Sequence, residues 1–211
     1  MRLHTTVIIM ACLAGITNGS LAQETPTDGV AGSFQVRLRA VTVSPEADAS
    51  ITIGGTAVGG TTSVGRSVIP EADFSYFFTD NFAVELIAGV TRHTVTNTVT
   101  GRVASVSLLP PTLVAQYHFD PTGTVRPYVG AGINYTFFYN ANSALPNISF
   151  SHNVGYALQA GVDVPLRDGY FLNFDVKKLF LNTGVTAAGG VVRANATLDP
   201  WLLGVGIGMR F

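Results

Sequence analysis

The chain ends on Trp201-Leu-Leu-Gly-Val-Gly-Ile-Gly-Met-Arg-Phe211, a run in which every second side chain is large and apolar. Trp201, Leu203, Val205, Ile207, Met209 and Phe211 alternate with Leu202, Gly204, Gly206, Gly208 and Arg210. A period of two belongs to a β-strand, whose successive residues point to opposite faces. Here one face is apolar throughout, while the other is mostly glycine and ends in a charge. Such a strand turns grease to one side and a narrow, crowded space to the other, as strands of a membrane barrel do.

Seven further segments repeat this two-faced pattern. The predicted strands lie near Phe34–Ser44, Ser67–Phe78, Asn81–His93, Val106–Phe119, Arg126–Tyr139, His152–Val164, Tyr170–Leu181 and Ala196–Phe211. Each is long enough to cross a bilayer at a tilt, for which roughly 9 to 11 residues suffice. The connections alternate between short turns (79–81, 120–125 and 165–169) and longer stretches rich in Gly, Asn, Ser and Thr (45–66, 94–105, 140–151 and 182–195). The expectation is therefore an all-β fold: an eight-stranded antiparallel transmembrane β-barrel with short periplasmic turns, longer extracellular loops and both termini in the periplasm. Its outer face would carry aromatic girdles, with Phe34, Phe78, Phe82, Phe119, Tyr170 and Phe211 near the turns and Phe137, Tyr156, Phe180 and Trp201 nearer the loops.

The start of the chain agrees with export. Arg2 and His4 precede an apolar stretch from Val7 to Ile16, and Ser20-Leu-Ala22 follows, the three parts of a secretory signal. Residues 1–22 read as a signal peptide, 23–32 as a periplasmic segment and 33–211 as the barrel. The apolar stretch is too short to span a bilayer, and no later run approaches the roughly 20 apolar residues of a membrane helix. Cys12, the one cysteine, falls inside the signal, so no disulfide or thiolate metal site is expected. The chain is 47% hydrophobic and 12% charged. A soluble sandwich or lipocalin would put charge on its outer face and approach the usual composition of about 25% charged residues. A formal net charge of −1 offers no basic face for nucleic acid.

Several local sequences resemble one family. Leu109-Pro-Pro-Thr-Leu-Val-Ala-Gln-Tyr-His-Phe119, Arg126-Pro-Tyr-Val-Gly-Ala-Gly-Ile-Asn-Tyr-Thr-Phe-Phe138, Asp175-Val-Lys-Lys178, and Leu198-Asp-Pro-Trp201 with the terminal aromatic are similar to the OmpW family of outer-membrane proteins. The resemblance implies an eight-stranded barrel in a Gram-negative outer membrane that passes small hydrophobic molecules. Its partners would be outer-membrane lipid and lipopolysaccharide, a small hydrophobic solute and, during biogenesis, the barrel-assembly machinery, for which Phe211 would be the signal. Met209 departs from that signal, standing where an aromatic is usual.

Sorting the inward residues by height divides the lumen in two. Arg37, Arg39, Glu71, Asp73, Glu85, Asp163, Asp175, Lys177 and Arg210 fall on the turn side, and in a barrel only just wide enough for side chains they should pair into a plug. Gly204, Gly206 and Gly208 would leave room for the arginine head groups. Val41, Val43, Ile69, Ile87, Phe138, Leu179, Leu181 and Leu202 fall on the loop side and would form an apolar ligand site. A solute entering there is blocked below, so the expected exit is sideways, near Pro70, Pro110 and Pro111, whose missing donors weaken the ladder. The same prolines equally suit strand ends.

Two other classes compete. Lipid A acyltransferases and deacylases are also eight-stranded barrels, and His93, Ser151 and His152 lie near the rim. No acid sits close enough to orient a base, so no catalytic set and no enzyme is expected. No spacing of His, Asp or Glu suits a metal, and no cofactor is expected. A structural or adhesive barrel working through its loops remains the alternative to a channel.

Overall fold

An apolar outer face can run along eight strands only if every strand edge is paired, because lipid offers no substitute hydrogen bond. The computed structural model describes residues 29–59, 62–97, 101–143, 147–151 and 153–211, with backbone alone at 47–48, 62–63, 91–97, 101–104, 106 and 140–143. The expected signal segment, residues 23–28 and His152 fall outside the described residues, as does the side chain of His93. Sixteen strands follow in order: β1 (Phe34–Ser44), β2 (Ala47–Ile53), β3 (Thr56–Val58), β4 (Thr62–Val64), β5 (Ser67–Phe77), β6 (Phe82–Gly89), β7 (Thr91–Asn97) and β8 (Gly101–Leu109). Then come β9 (Thr112–His118), β10 (Arg126–Ser143), β11 (Ser149–Phe150), β12 (Asn153–Pro165), β13 (Tyr170–Phe180), β14 (Asn182–Ala187), β15 (Val192–Leu198) and β16 (Trp201–Arg210).

Eight of them close a ring. β1 pairs with β16 and β5, β5 with β6, β6 with β9, β9 with β10, β10 with β12, β12 with β13, and β13 with β16, all antiparallel. The termini seal the seam, since Phe34 and Phe211 exchange both backbone hydrogen bonds at 2.8 and 2.9 Å. Outward residues such as Leu38, Val68, Leu86, Leu158 and Leu203 are more than half exposed. Their inward neighbours are buried or half-buried, so alternation holds through the band.

Where the chain was read as polar loops, it forms more strand. β2, β3, β11, β14 and β15 build a five-stranded sheet, and β4, β7, β8 and the end of β10 another, so the wall continues past the band. Three predicted strands are also interrupted. The third breaks at Val90 between β6 and β7, the fourth at Pro110-Pro111 between β8 and β9, and the last at Asp199-Pro200 between β15 and β16. Proline cannot donate to a ladder, which accounts for the second and third breaks.

Lys178 reports the register. It lies on the outward face between Val176 and Phe180, and the pairings of β13 run through it without a bulge. Its Nζ sits 2.6 Å from Glu46 Oε2, donates to the Asp199 carbonyl at 2.7 Å, and lies 4.9 Å from the Trp201 ring centroid. The charge is thus held at the upper edge of the band, where its neighbours are polar and interfacial.

Candidate functional site

Period two sends Arg37 and Arg39 of β1 into the lumen, and the strands opposite send carboxylates to meet them. Arg37 contacts Asp73 at 3.1 Å and Glu85 at 3.0 Å through Nη1, and grips Asp163 through Nη2 at 3.0 Å and Nε at 3.3 Å. Arg39 reaches Glu71 at 2.9 Å, Glu85 and Asp175 at 3.3 Å each, and Asp73. Lys177 pairs with Glu71 at 2.6 Å and Asp175 at 2.9 Å. Neutral groups add further hydrogen bonds to these carboxylates. Tyr128 donates to Asp175 at 2.7 Å, Gln159 to the same oxygen at 2.8 Å, Asn173 to Asp163 at 2.8 Å, and Gln116 to Glu85 at 2.8 Å. All these side chains are buried, so each charge has exchanged water for a counter-charge.

Two features of this lower lumen escaped the sequence reading. Phe77 and Phe171 also point inward and are fully buried, and Arg37 lies over the rings of Tyr128 and Phe171 at 5.0 and 5.7 Å. Each belongs to an aromatic doublet, Phe77-Phe78 and Tyr170-Phe171, in which one ring faces lipid and the other the lumen. The inward glycines also play a different part from the one expected. A side chain at Gly206 would strike the Leu38 carbonyl and the Arg39 stem, and one at Gly208 would strike the Phe171 ring, so they accommodate a stem and a ring rather than guanidinium heads. Arg210 lies below the network and makes no ion pair among the described residues.

Above Lys177 and Glu71 the chemistry changes. A cavity of about 140 Å³ opens there, and those two residues, at its floor, are the only charged ones among its described lining. Val43, Ile69, Ile87, Phe138, Leu179, Leu181 and Leu202 line it, as the alternation predicted. Val41 does not line it; it is fully buried in the apolar cluster with Val43, Ile69, Leu179 and Leu202. The upper wall comes largely from stretches expected to be loops, through Ile51 of β2, Val64 of β4, Ile148, Phe150 of β11 and Val185 of β14, together with Leu198 of β15, which lies within the predicted last strand. Leu108 was missed as well, although it lies within the predicted fourth strand. Phe138 and Phe150, both in the cavity wall, stack on each other with centroids 5.3 Å apart and planes 11° apart.

Beside the cavity the wall is incomplete. The β6–β9 ladder ends at Ile87↔Thr112 and the β7–β8 ladder resumes at Thr91↔Leu108, leaving Ala88, Gly89 and Val90 unladdered against Leu109, Pro110 and Pro111. On the other side the β5–β6 ladder stops at Glu71↔Gly89, just below Pro70. Gly89 and Pro110 both line the cavity, so the gap in the ladder and the apolar space adjoin. Of the rim residues considered for catalysis, Ser151 is exposed, and its backbone is engaged by Gly184 and Thr183. No group of His, Cys, Asp and Glu that could hold a metal occurs among the described residues.

The OmpW family model matches residues 30–211. Outer membrane protein W of Salmonella typhimurium is 36% identical, with 98% of each chain covered. The dibenzothiophene metabolism operon protein PahQ of Pseudomonas aeruginosa is 29% identical, again over 98% of each chain. Among solved structures, outer membrane protein OprG of Pseudomonas aeruginosa superimposes with a TM-score of 0.81 at 26% identity, covering 88% of this chain and 99% of that one.

Proposed function

Because this chain belongs to the OmpW family of outer-membrane β-barrels, we propose that it takes up small hydrophobic molecules from outside the cell and releases them sideways into the membrane. The observation that carries this reading is the apolar cavity, closed beneath by paired charges and bordered by an unladdered stretch of wall. A hydrophobic solute gains by entering such a space and loses by crossing a charged one. Its lowest path runs past Gly89 and Pro110, where few backbone hydrogen bonds must break. The name of the relative PahQ ties that protein to an operon for an apolar aromatic compound, in keeping with this class of cargo. The reading gives the barrel no catalytic step. Phe211 serves its assembly, and lipopolysaccharide surrounds its outer rim.

Uptake of an apolar fluorescent reporter by cells expressing the barrel tests the proposal. Val43→Asp with Leu181→Asp should lower uptake while the folded, heat-modifiable gel band persists. A disulfide between Val90→Cys and Leu109→Cys, which would face each other across the gap, should lower it until a reductant is added. Uptake indifferent to all of these overturns the reading. One observation favours a receptor or adhesive role instead: Ser50, Arg193, Asn195 and Thr197 put an exposed polar face on the ordered sheet beyond the band.

A further inference from the structure

Every cation of the plug faces carboxylates, but two arginines at the periplasmic mouth face none. Arg126 and Arg210 line a second cavity, of about 330 Å³, together with Thr122, Leu166, Tyr170 and Phe211. Arg210 donates from Nε to Gln35 Oε1 at 2.9 Å and from Nη1 to the Pro121 carbonyl at 2.8 Å, with its guanidinium 4.6 Å from the Phe77 ring centroid. Arg126 donates from Nε to the Gly123 carbonyl at 3.1 Å. One turn, residues 119–125, therefore orients both side chains through its backbone. Neither forms an ion pair with a described carboxylate, the chain terminus included, and Arg210 Nη2 is buried without a hydrogen-bond partner.

The acids nearby are engaged elsewhere. Asp163 is held by Arg37, Gln35 and Asn173, and the Asp120 carboxylate lies against Gly123 of its own turn. A guanidinium withdrawn from water without a counter-charge is costly, and its planar fork matches the oxygens of a phosphate. Leu166, Tyr170 and Phe211 lie about half exposed around the same opening, so an apolar rim encircles the positive charge.

We propose that Arg126 and Arg210 form a phosphate-binding site at the periplasmic mouth. The phosphate is carried either by the headgroup of an inner-leaflet lipid, whose chains the apolar rim would meet, or by a free anion of the periplasm. This site is independent of the uptake reading, since it lies on the other side of the plug.

The test uses the whole exported protein in maltoside micelles, which contain no phosphate, with 15N-labelled arginine. The Nε resonances of Arg126 and Arg210 are followed while inorganic phosphate, or dihexanoyl phosphatidylglycerol below its micelle concentration, is added at ionic strength fixed with chloride. Both probes should move both resonances. Arg126→Gln should weaken each by about tenfold or more, the loss expected for a charge-assisted hydrogen bond. Because Arg126 sits at the rim, that variant is expected to fold even if Arg210→Gln does not. Lipid binding at least tenfold tighter than phosphate identifies the headgroup as the source, and comparable affinities identify a free anion. Resonances that respond to neither probe, or Arg126→Gln binding as tightly as the unmodified protein, would overturn the site.

Discussion

Below Lys177 the lumen is filled by the protein's own side chains; above it, the same eight strands enclose a space they leave free. The two halves meet opposite demands. Charged groups in the lower half have no water to fall back on, so each must find a counter-charge, and the resulting network closes the tube. Apolar groups in the upper half lose nothing by having no polar partner, and the space between them suits an apolar guest. On the proposed function, the lower half therefore determines whether the barrel holds together and leaks, and the upper half what it takes up.

The sharpest way to break this contrast is to remove both plug arginines. Arg37→Ala with Arg39→Ala leaves Asp73, Glu85 and Asp163 buried without their cations. Breaking one buried pair from one side costs about 3–5 kcal/mol, so the variant should lose its heat-modifiable folded band at a much lower temperature or urea concentration. Molecules that still fold should conduct ions in planar bilayers, where the unmodified barrel should conduct poorly. High conductance of the unmodified protein would show that the plug does not close the tube.

The lower half was legible in the sequence because alternation there sorts unlike chemistries. Arg37 and Arg39 alternate with Val36, Leu38 and Ala40, and Asp175 and Lys177 with Phe174 and Val176, so the face of each residue follows once the outer face is known to be apolar. Past the band that rule reverses. In β15, Ala194 and Ala196 turn toward the cavity while Arg193, Asn195 and Thr197 turn to water, the pattern of an ordinary solvated sheet. Small inward residues and polar outward ones look like loop composition to a search for membrane strands, which is why half of the cavity wall went unseen. Arg126 was passed over, and Arg210 was assigned to the plug, for another reason. A turn that supplies two backbone carbonyls leaves no pattern in side-chain types.

A smaller effect separates the halves by their spare volume. A Cβ at Gly206 would strike backbone, so Gly206→Val should destabilise the barrel by about 1–3 kcal/mol, the usual cost of overpacking. Ala196→Leu adds the same three carbons, but into the cavity it already lines. It should leave the unfolding midpoint unchanged and lower uptake of the apolar reporter. Equal destabilisation by both substitutions would mean that the upper space is closed in the membrane.

The smallest effect fixes where the bilayer ends relative to this boundary. Lys178 faces outward one residue above the plug's Lys177 and one below the cavity's Leu179, so its depth is the depth of the cavity floor. If it stood at mid-membrane, facing lipid, replacing it would relieve a penalty of about 2–4 kcal/mol, and Lys178→Met would stabilise the barrel. Its contacts with Glu46, the Asp199 carbonyl and the Trp201 ring place it instead at the interface, where the penalty is about 0–1 kcal/mol. There, Lys178→Met removes a partly exposed ion pair and a cation–π contact, each contributing at most about 1 kcal/mol. The expected outcome is therefore a change within about 1 kcal/mol and, if anything, a loss, read from urea unfolding in lipid vesicles. A gain of 2 kcal/mol or more, by the same depth scale, would put the cavity floor deep in the membrane and lower the gap at Gly89 and Pro110 with it. The near-zero result leaves that gap opening into the uppermost part of the outer leaflet, where a solute released by the proposed route would meet lipid chains just beneath the headgroups.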